Sequence, residues 1–447
     1  MISRRGLIRL GAASVGSLAL RPFGMLPALA QSSSADYRAL VCVFLFGGND
    51  SNNTIIPADD QNIQLYTKIR GSLALAPAEM TSVVYTQTGN APYVFHSALA
   101  EVASMFSNKE LAIVANVGPL VQPVTRAQYL NQTAPLPTNL YSHSDQQIEW
   151  QTSSPNRPSS TGWAGRAADI ASAQNLSKFP TFFSVAGNSL MGNGAATTPV
   201  ALSPGSSLDL QGFNSTAASQ ARLNALKNLL TLNSGVKLAQ AANTVLSDSI
   251  SDAQALDSAL SKSSPLKTTF PKTSLGAQLQ QIAQVIQVRD GLGMRRQIFF
   301  ASLGGFDTHA NELETHRLLY PQLSQALAAF NNAMVELGTE NDVTTFTESD
   351  FSRTFQPTTS DGSDHAWGSH HLVMGGAVKG GDIYGQFPAF VLSGPDDAES
   401  RGRWIPTIAV DQYSATLCSW FGITSADLAS VFPNLANFAT PTLNFLG

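Results

Sequence analysis

Carboxylates and imidazoles gather in four short polar clusters, each beside an apolar run. Gly47-Gly48-Asn49-Asp50 follows the run Leu40 to Phe46. Gly304-Gly305-Phe306-Asp307-Thr308-His309 follows Gln297 to Leu303. Glu348-Ser349-Asp350 follows Val343 to Thr347. Ser363-Asp364-His365-Ala366-Trp367-Gly368-Ser369-His370-His371 stands just before Leu372-Val373-Met374. Aspartate and histidine brought together are ligands for hard or borderline divalent ions, or general acids and bases.

Each cluster also has a plainer structural use. Asp50 follows a Gly-Gly turn that lets backbone approach a ligand, and an aspartate there equally suits a turn or a helix cap. Asp307 and His309 are separated by one residue and face the same ion where the backbone is irregular; with Glu312 they also fit a capping arrangement. Asp364, His365, His370 and His371 form the strongest local signal, because three of the seven histidines fall there. His370 and His371 are adjacent, so if both enter a strand only one points inward. Asp350 is the ligand candidate of the third cluster, with Glu348 supporting it.

The elements that must position these groups are legible. Leu40–Phe46, Leu111–Val117, Gln297–Leu303, Val343–Thr347, Leu372–Val378 and Ala389–Ser393 read as strands. Helical periods run over 96–106, 274–288, 313–337 and 411–421, the last with Asp411 as N-cap. Alternating strands and helices predict an α/β fold, a mostly parallel sheet sandwiched by helices, whose chemistry lies at the carboxyl ends of the strands. From 153 to 216 the chain is rich in Ser, Pro, Asn, Gly and Thr and reads as loops; from 217 to 259 it turns helical. The stretch from about 171 to 272 reads as a partly helical insertion in a single domain spanning 31–447, and it carries no histidine.

The beginning of the chain reads as an export address. Ser3-Arg4-Arg5-Gly6-Leu7-Ile8-Arg9 has the twin-arginine pattern, a mild apolar stretch follows, and Ala28-Leu29-Ala30 is a small-x-small cleavage site. A signal peptide over 1–30 implies the twin-arginine machinery as a partner and a periplasmic or extracellular protein starting at Gln31. No later stretch is apolar for long enough to span a membrane. Loss of the four leader arginines leaves 22 basic against 31 acidic residues, a formal charge of −9. That balance, with no Lys/Arg-rich patch, argues against a nucleic-acid partner. Charged residues make up 13% and hydrophobic residues 43%, which describes a chain with a large core. Cys42 and Cys418 each sit in an apolar pattern and read as buried free thiols rather than a disulfide.

Taken together, Gly47-Gly48-Asn49-Asp50, Gly304 to His309, Ser352-Arg353-Thr354 and Asp364 to His371 resemble the secreted domain-of-unknown-function family 1501. Asp411-Gln412-Tyr413-Ser414-Ala415-Thr416-Leu417 before Trp420-Phe421-Gly422, and the twin-arginine leader, are similar to the same family. The resemblance covers nearly the whole mature chain. It implies the alkaline phosphatase and sulfatase superfamily, hence an alkaline phosphatase-like fold with divalent ions (zinc, manganese, calcium or iron) at the strand ends. Carried over, it implies Asp50, Asp307, His309, Asp350, His365 and one of His370 or His371 as ligands, with Asp364 as alternative. In Tyr141-Ser142-His143-Ser144-Asp145 it implies a serine nucleophile, Ser142 first and Ser144 second, at a helix start that favours an anionic ester. Arg353 would clamp an anion oxygen or pair with an acidic neighbour.

The expected activity is metal-dependent hydrolysis of phosphate or sulfate esters of small or polymeric substrates, with two ions sharing an in-line displacement. The competing expectation is a non-catalytic secreted binding or assembly protein on the same fold. A serine hydrolase ranks below both, because no Gly-x-Ser-x-Gly elbow stands at a strand end.

Overall fold

A nine-stranded sheet forms the centre of the protein, and its order is fixed by the apolar runs. The structure is a computed structural model that describes residues 37–205, 213, 215–233 and 235–447. The expected leader at 1–30 lies outside the described residues. Arg38–Gly447 forms one unit.

The strands are β1 (Arg38–Phe46), β2 (Leu111–Gly118), β3 (Phe182–Ser184), β4 (Val200–Ala201), β5 (Arg296–Gly304), β6 (Val343–Ser349), β7 (Ser369–Met374), β8 (Ile383–Gly385) and β9 (Ile408–Ala409). Their order across the sheet is β8-β2-β7-β6-β1-β5-β3-β4, with β9 also on β2. Only β7 runs antiparallel to its neighbours, so the expected mostly parallel sheet is what the chain forms. β1 pairs parallel with β5 on one side and β6 on the other, which puts Phe46 opposite Gly304 and Leu45 opposite Ser349. All three carboxyl ends therefore share one rim. The antiparallel β7 starts on that same rim, bringing the 363–368 loop to it.

The helices that matter to the site are α1 (Asp60–Arg70), α2 (Ala100–Ser107), α3 (His143–Thr152), α4 (Trp163–Ala171), α5 (Ala217–Leu230), α6 (Lys237–Leu260), α7 (Ser274–Gln287), α8 (Glu312–Glu336) and α9 (Val410–Phe421). On one face of the sheet Leu40, Cys42 and Phe44 pack with Phe346, Val373, Trp150, Trp163, Tyr413 and Cys418. On the other, α7 lies along β5 and against α8, which in turn meets α2. Covering both faces explains why the strands read as unbroken apolar runs. Both cysteines are buried and free, as read from their apolar surroundings.

Several boundaries differ from the sequence reading. The strand expected over Leu372–Val378 stops at Met374, because Gly375 turns the chain at φ 136° and a Cβ there would lie 2.3 Å from the Val343 carbonyl oxygen. Ala389–Ser393 is not a strand. Asp396 and Asp397 accept hydrogen bonds from the backbone N–H groups of Ala389 (2.8 Å) and Ser393 (2.9 Å), folding a local turn, while Phe390 stacks on Phe355. Asp411 does not cap α9; Ala409 holds that position and Asp411 is buried in the first turn. Within 171–272, β3 and β4 extend the central sheet before α5 and α6 leave it.

Candidate metal centre

The rim carries a cluster of three imidazoles and one carboxylate. Asp307 lies three residues past the end of β5, and Gly47 lies one past the end of the neighbouring β1. A Cβ on Gly47, whose φ is 113°, would lie 2.4 Å from the Asp307 backbone nitrogen, so only glycine lets the two loops touch. Around Oδ1 of Asp307 stand Nε2 of His309 at 3.0 Å, Nε2 of His143 at 3.3 Å and Nε2 of His365 at 3.5 Å. Nε2 of His309 and Nε2 of His365 are 2.9 Å apart. Tetrahedral ligands about 2.0–2.1 Å from a zinc-sized ion are separated by roughly 3.3–3.4 Å. The spacings of His143 and His365 to Asp307 suit one such ion, and donor atoms of these three residues lie within 4.8 Å of one another.

The outer nitrogens are tethered so that the inner ones converge. Nδ1 of His365 lies 2.6 Å from the Tyr141 carbonyl oxygen, which only accepts, so Nδ1 carries the proton and Nε2 the lone pair. Nδ1 of His143 lies 2.7 Å from Oδ2 of Asp350, which is fully buried and also accepts from Gln147 Nε2 (2.8 Å) and the Gly47 N–H (3.2 Å). Carboxylate or carbonyl partners of this kind orient metal-binding histidines. Nδ1 of His309 has Asp364 at 3.5 Å, itself paired with Arg401. With a lone pair on His365 Nε2, the short approach of His309 Nε2 needs a proton or a cation between them. Tyr141 presents its carbonyl from a left-handed backbone (φ 73°), a conformation a bulky residue holds only under constraint.

Electrostatics act differently on the three donors. Burial raises Asp307, but the Arg353 hydrogen bond and charge outweigh it and hold the carboxyl down at about 2. The hydrogen bond to Asp350 raises His143 above the ordinary imidazole value. Burial lowers His365, favouring the neutral ring.

Other candidates are placed elsewhere. Arg353 is fully buried and is no free clamp. Nε donates to the Gly48 carbonyl, Nη1 to that of Ser363, and Nη2 to those of Gly47 and Phe306 and to Asp307 Oδ1 at 2.6 Å. Ser142 caps α3, and its hydroxyl, like that of Ser144, bonds to Asp145; among the described residues no hydrogen bond joins either to the cluster. The residue between them, His143, reaches the centre. His370 and His371 point to opposite faces of β7, and both are buried because both faces are covered. His370 accepts the Asn116 N–H at 2.9 Å, and His371 packs on Trp150 and Tyr413. Burial pushes both rings down to about 3.

Asp50 shares the rim but turns to a second, fully buried group. It pairs with Arg70 at the end of α1, and the same guanidinium nitrogen lies 3.2 Å from Oε1 of Glu312. Burial opposes the charge on Asp50, yet Arg70, the hydrogen bonds from Glu312 and Asn52 and the nearby His316 together outweigh it and keep the carboxyl below its usual range. Burial and the neighbouring Asp50 push Glu312 up, to about 8. His316, one turn into α8, completes the group, and burial holds it down at about 3.

The sequence reading did not single out His143, Arg70 or His316 as functional, and took Glu312 only as a capping partner. His143 was detectable, since it sits inside the Ser-His segment already singled out.

Residues 37–401 match the family model described as "Protein of unknown function (DUF1501)". No curated protein matches the sequence. Among solved structures, the chain is similar to "Ps i-CgsB in complex with k-i-k-neocarrahexaose" at 10% identity, covering 88% of this chain and 74% of that one with a TM-score of 0.35. It is similar to "the lipoteichoic acid synthase LtaP from Listeria monocytogenes" at 8% identity, covering 88% and 74% with a TM-score of 0.31.

Proposed function

Because the chain belongs to the DUF1501 family, proteins of unknown function, its activity has to be read from its own site, and we propose an exported metal-dependent hydrolase of phosphate or sulfate esters. One observation carries this reading: His143, Asp307 and His365 offer donor atoms within 4.8 Å of one another, the outer nitrogens of His143 and His365 are tethered, and Nε2 of His309 lies 3.0 Å from Asp307 Oδ1. His143, Asp307 and His365 would hold the ion, with His309 as fourth donor. N and O donors of this kind suit zinc or another borderline divalent ion. When bound, such an ion supplies Lewis acidity toward the anionic oxygens of an ester.

The chain's own residues do the rest. Asp350 keeps the proton on Nδ1 of His143. Arg353 keeps Asp307 ionised. Asp307 and His309 are the open side of the centre, their side chains 50% and 48% exposed, so substrate enters there. His309, with Asp364 3.5 Å from its Nδ1, stands on this open side, where its Nε2 would complete the donor set. The hydroxyls of Ser142 and Ser144 are directed at Asp145, so the attacking group in this reading is water.

A non-catalytic role has one observation in its favour: a full set of four protein donors is also what a closed structural site uses. The half exposure of two of the four favours an open, working site. The test is hydrolysis of aryl phosphates and aryl sulfates by protein loaded with zinc, manganese, calcium or iron. Loss of turnover in Asp307→Ala supports the enzyme; a metal-loaded chain inert to every ester supports the binder. Export to the periplasm or beyond is read from residues 3–9 and 28–30; an N-terminus at Gln31 in protein recovered outside the cytoplasm would bear it out. Among the described residues no helix is long and apolar enough to cross a membrane.

A further inference from the structure

Beneath the exposed cluster lies the second group of potential ligands, and its composition is that of a metal site. Asp50, Glu312 and His316 each offer a donor atom within 4.8 Å of the others, and all three are fully buried. Both ring nitrogens of His316 lack a hydrogen-bond partner. A two-ion reading of the rim would use this place.

The donor oxygens are nevertheless committed. Oδ2 of Asp50 and Oε1 of Glu312 both receive Arg70 Nη2. Oδ1 of Asp50 accepts from the Asn52 N–H at 3.2 Å and from Asn52 Nδ2 at 2.8 Å. Oε2 of Glu312 accepts from Thr308 Oγ1 at 3.0 Å and from Ser363 Oγ. The guanidinium is held in turn, because Nη1 donates to the carbonyls of Thr354 and Phe355, each at 3.1 Å. A dication would have to share a dry pocket with this cation and displace hydrogen bonds from both carboxylates, and like charges at short range repel strongly in such surroundings.

We infer that Arg70 is a built-in cation that takes the second ion's place, so that the chain holds one divalent ion, at His143, Asp307 and His365, and none at Asp50, Glu312 and His316. This rests on the functional reading above. Arg70 is a positioning residue: it ties the end of β1, the start of α8 and the 354–355 loop together, and two of these segments lead into the ligands. Asp50 then balances the Arg70 charge and does not coordinate.

The experiment counts ions. Full-length mature chain, stripped and dialysed against zinc alone, is assayed for bound zinc and crystallised for anomalous diffraction at the zinc edge. The expected wild-type result is one equivalent at the His143 cluster. Arg70→Ala removes the cation and leaves a cavity beside two carboxylates and a free imidazole; it is expected to bind two equivalents, the second beside His316. Arg70→Lys, which keeps a charge there, is expected to bind one, and it decides the matter where Arg70→Ala does not fold. Two equivalents in the wild type, or one in folded Arg70→Ala, or two in Arg70→Lys, overturn the inference alone. No zinc in the wild type overturns the functional reading and this inference with it.

Discussion

Asp350 never touches the donor cluster's open side, yet it accepts from Nδ1 of His143 at 2.7 Å and thereby aims that ring's Nε2 at Asp307. Removing such a partner typically weakens metal binding about 10–100-fold. Asp350→Ala is therefore expected to raise the zinc dissociation constant by that factor in calorimetric titration, with His143→Ala costing more. Equal affinities in Asp350→Ala and the wild type would remove His143 from the ligand set.

Ser142 separates two accounts of the nucleophile. As a cap, its replacement by alanine costs about 1 kcal/mol of stability and leaves zinc content and ester turnover in place. Thermal unfolding and a turnover assay on Ser142→Ala check this together. Abolished turnover with normal zinc would reinstate a serine nucleophile.

Zinc affinity should climb with pH through the range where His143 loses its proton. Asp350 raises that titration above the ordinary imidazole value near 6.5, and the protonated ring cannot ligate. His365, lowered by burial, is already neutral there and does not limit binding. The metal-free chain behaves oppositely. A raised folded value means that the His143 contribution is fully present below the unfolded value and fades as pH rises through the folded one. Titrating zinc affinity and metal-free melting temperature from pH 6 to 9 should give slopes of opposite sign from this residue, and the His143→Ala background should flatten both.

His371→Leu should keep one equivalent of zinc and leave stability unchanged or higher by about 1 kcal/mol. Its Nε2 is buried without a hydrogen-bond partner, and replacing such a group by an apolar one is often neutral or favourable. Zinc lost from a well-folded His371→Leu would contradict the placement of the site.

Arg353→Met should destabilise by roughly 3–5 kcal/mol, the usual cost of leaving partners of a buried charge unmatched. Four carbonyl oxygens and Asp307 lose their donor at once. Denaturant unfolding measures it, and a change below about 1 kcal/mol would mean that the loops do not depend on the guanidinium.

The inner strands β1, β2, β5, β6 and β7 were legible because they are buried on both faces and read as apolar runs, whereas the two- and three-residue strands β3, β4, β8 and β9 are too short to leave such a run. Four of the six expected strands end within a residue or two of the reading. Ala389–Ser393 misled because apolar residues under a small cluster around Phe390 look like strand residues in sequence. The candidate site was half legible. Asp307, His309 and His365 announced themselves by type and spacing, but spacing also pointed to His370 and His371, which a covered strand buries away from the rim. His143 was masked by its serine neighbours, whose capping chemistry offered a more familiar use for the same motif. Arg70 left no local trace, because its meaning comes from two carboxylates brought to it from β1 and α8.

The two thiols bear on the route inferred for this chain. Cys42 lies in the central strand and Cys418 in the helix over it, both without solvent access, and burial raises each well above the range where thiolate forms. Nothing covalent has to be made or unmade when the surrounding redox potential changes. If the chain is exported as proposed, it would reach its final bonding before leaving a reducing cytoplasm and carry it unaltered into an oxidising compartment, with no call on a disulfide-forming catalyst there.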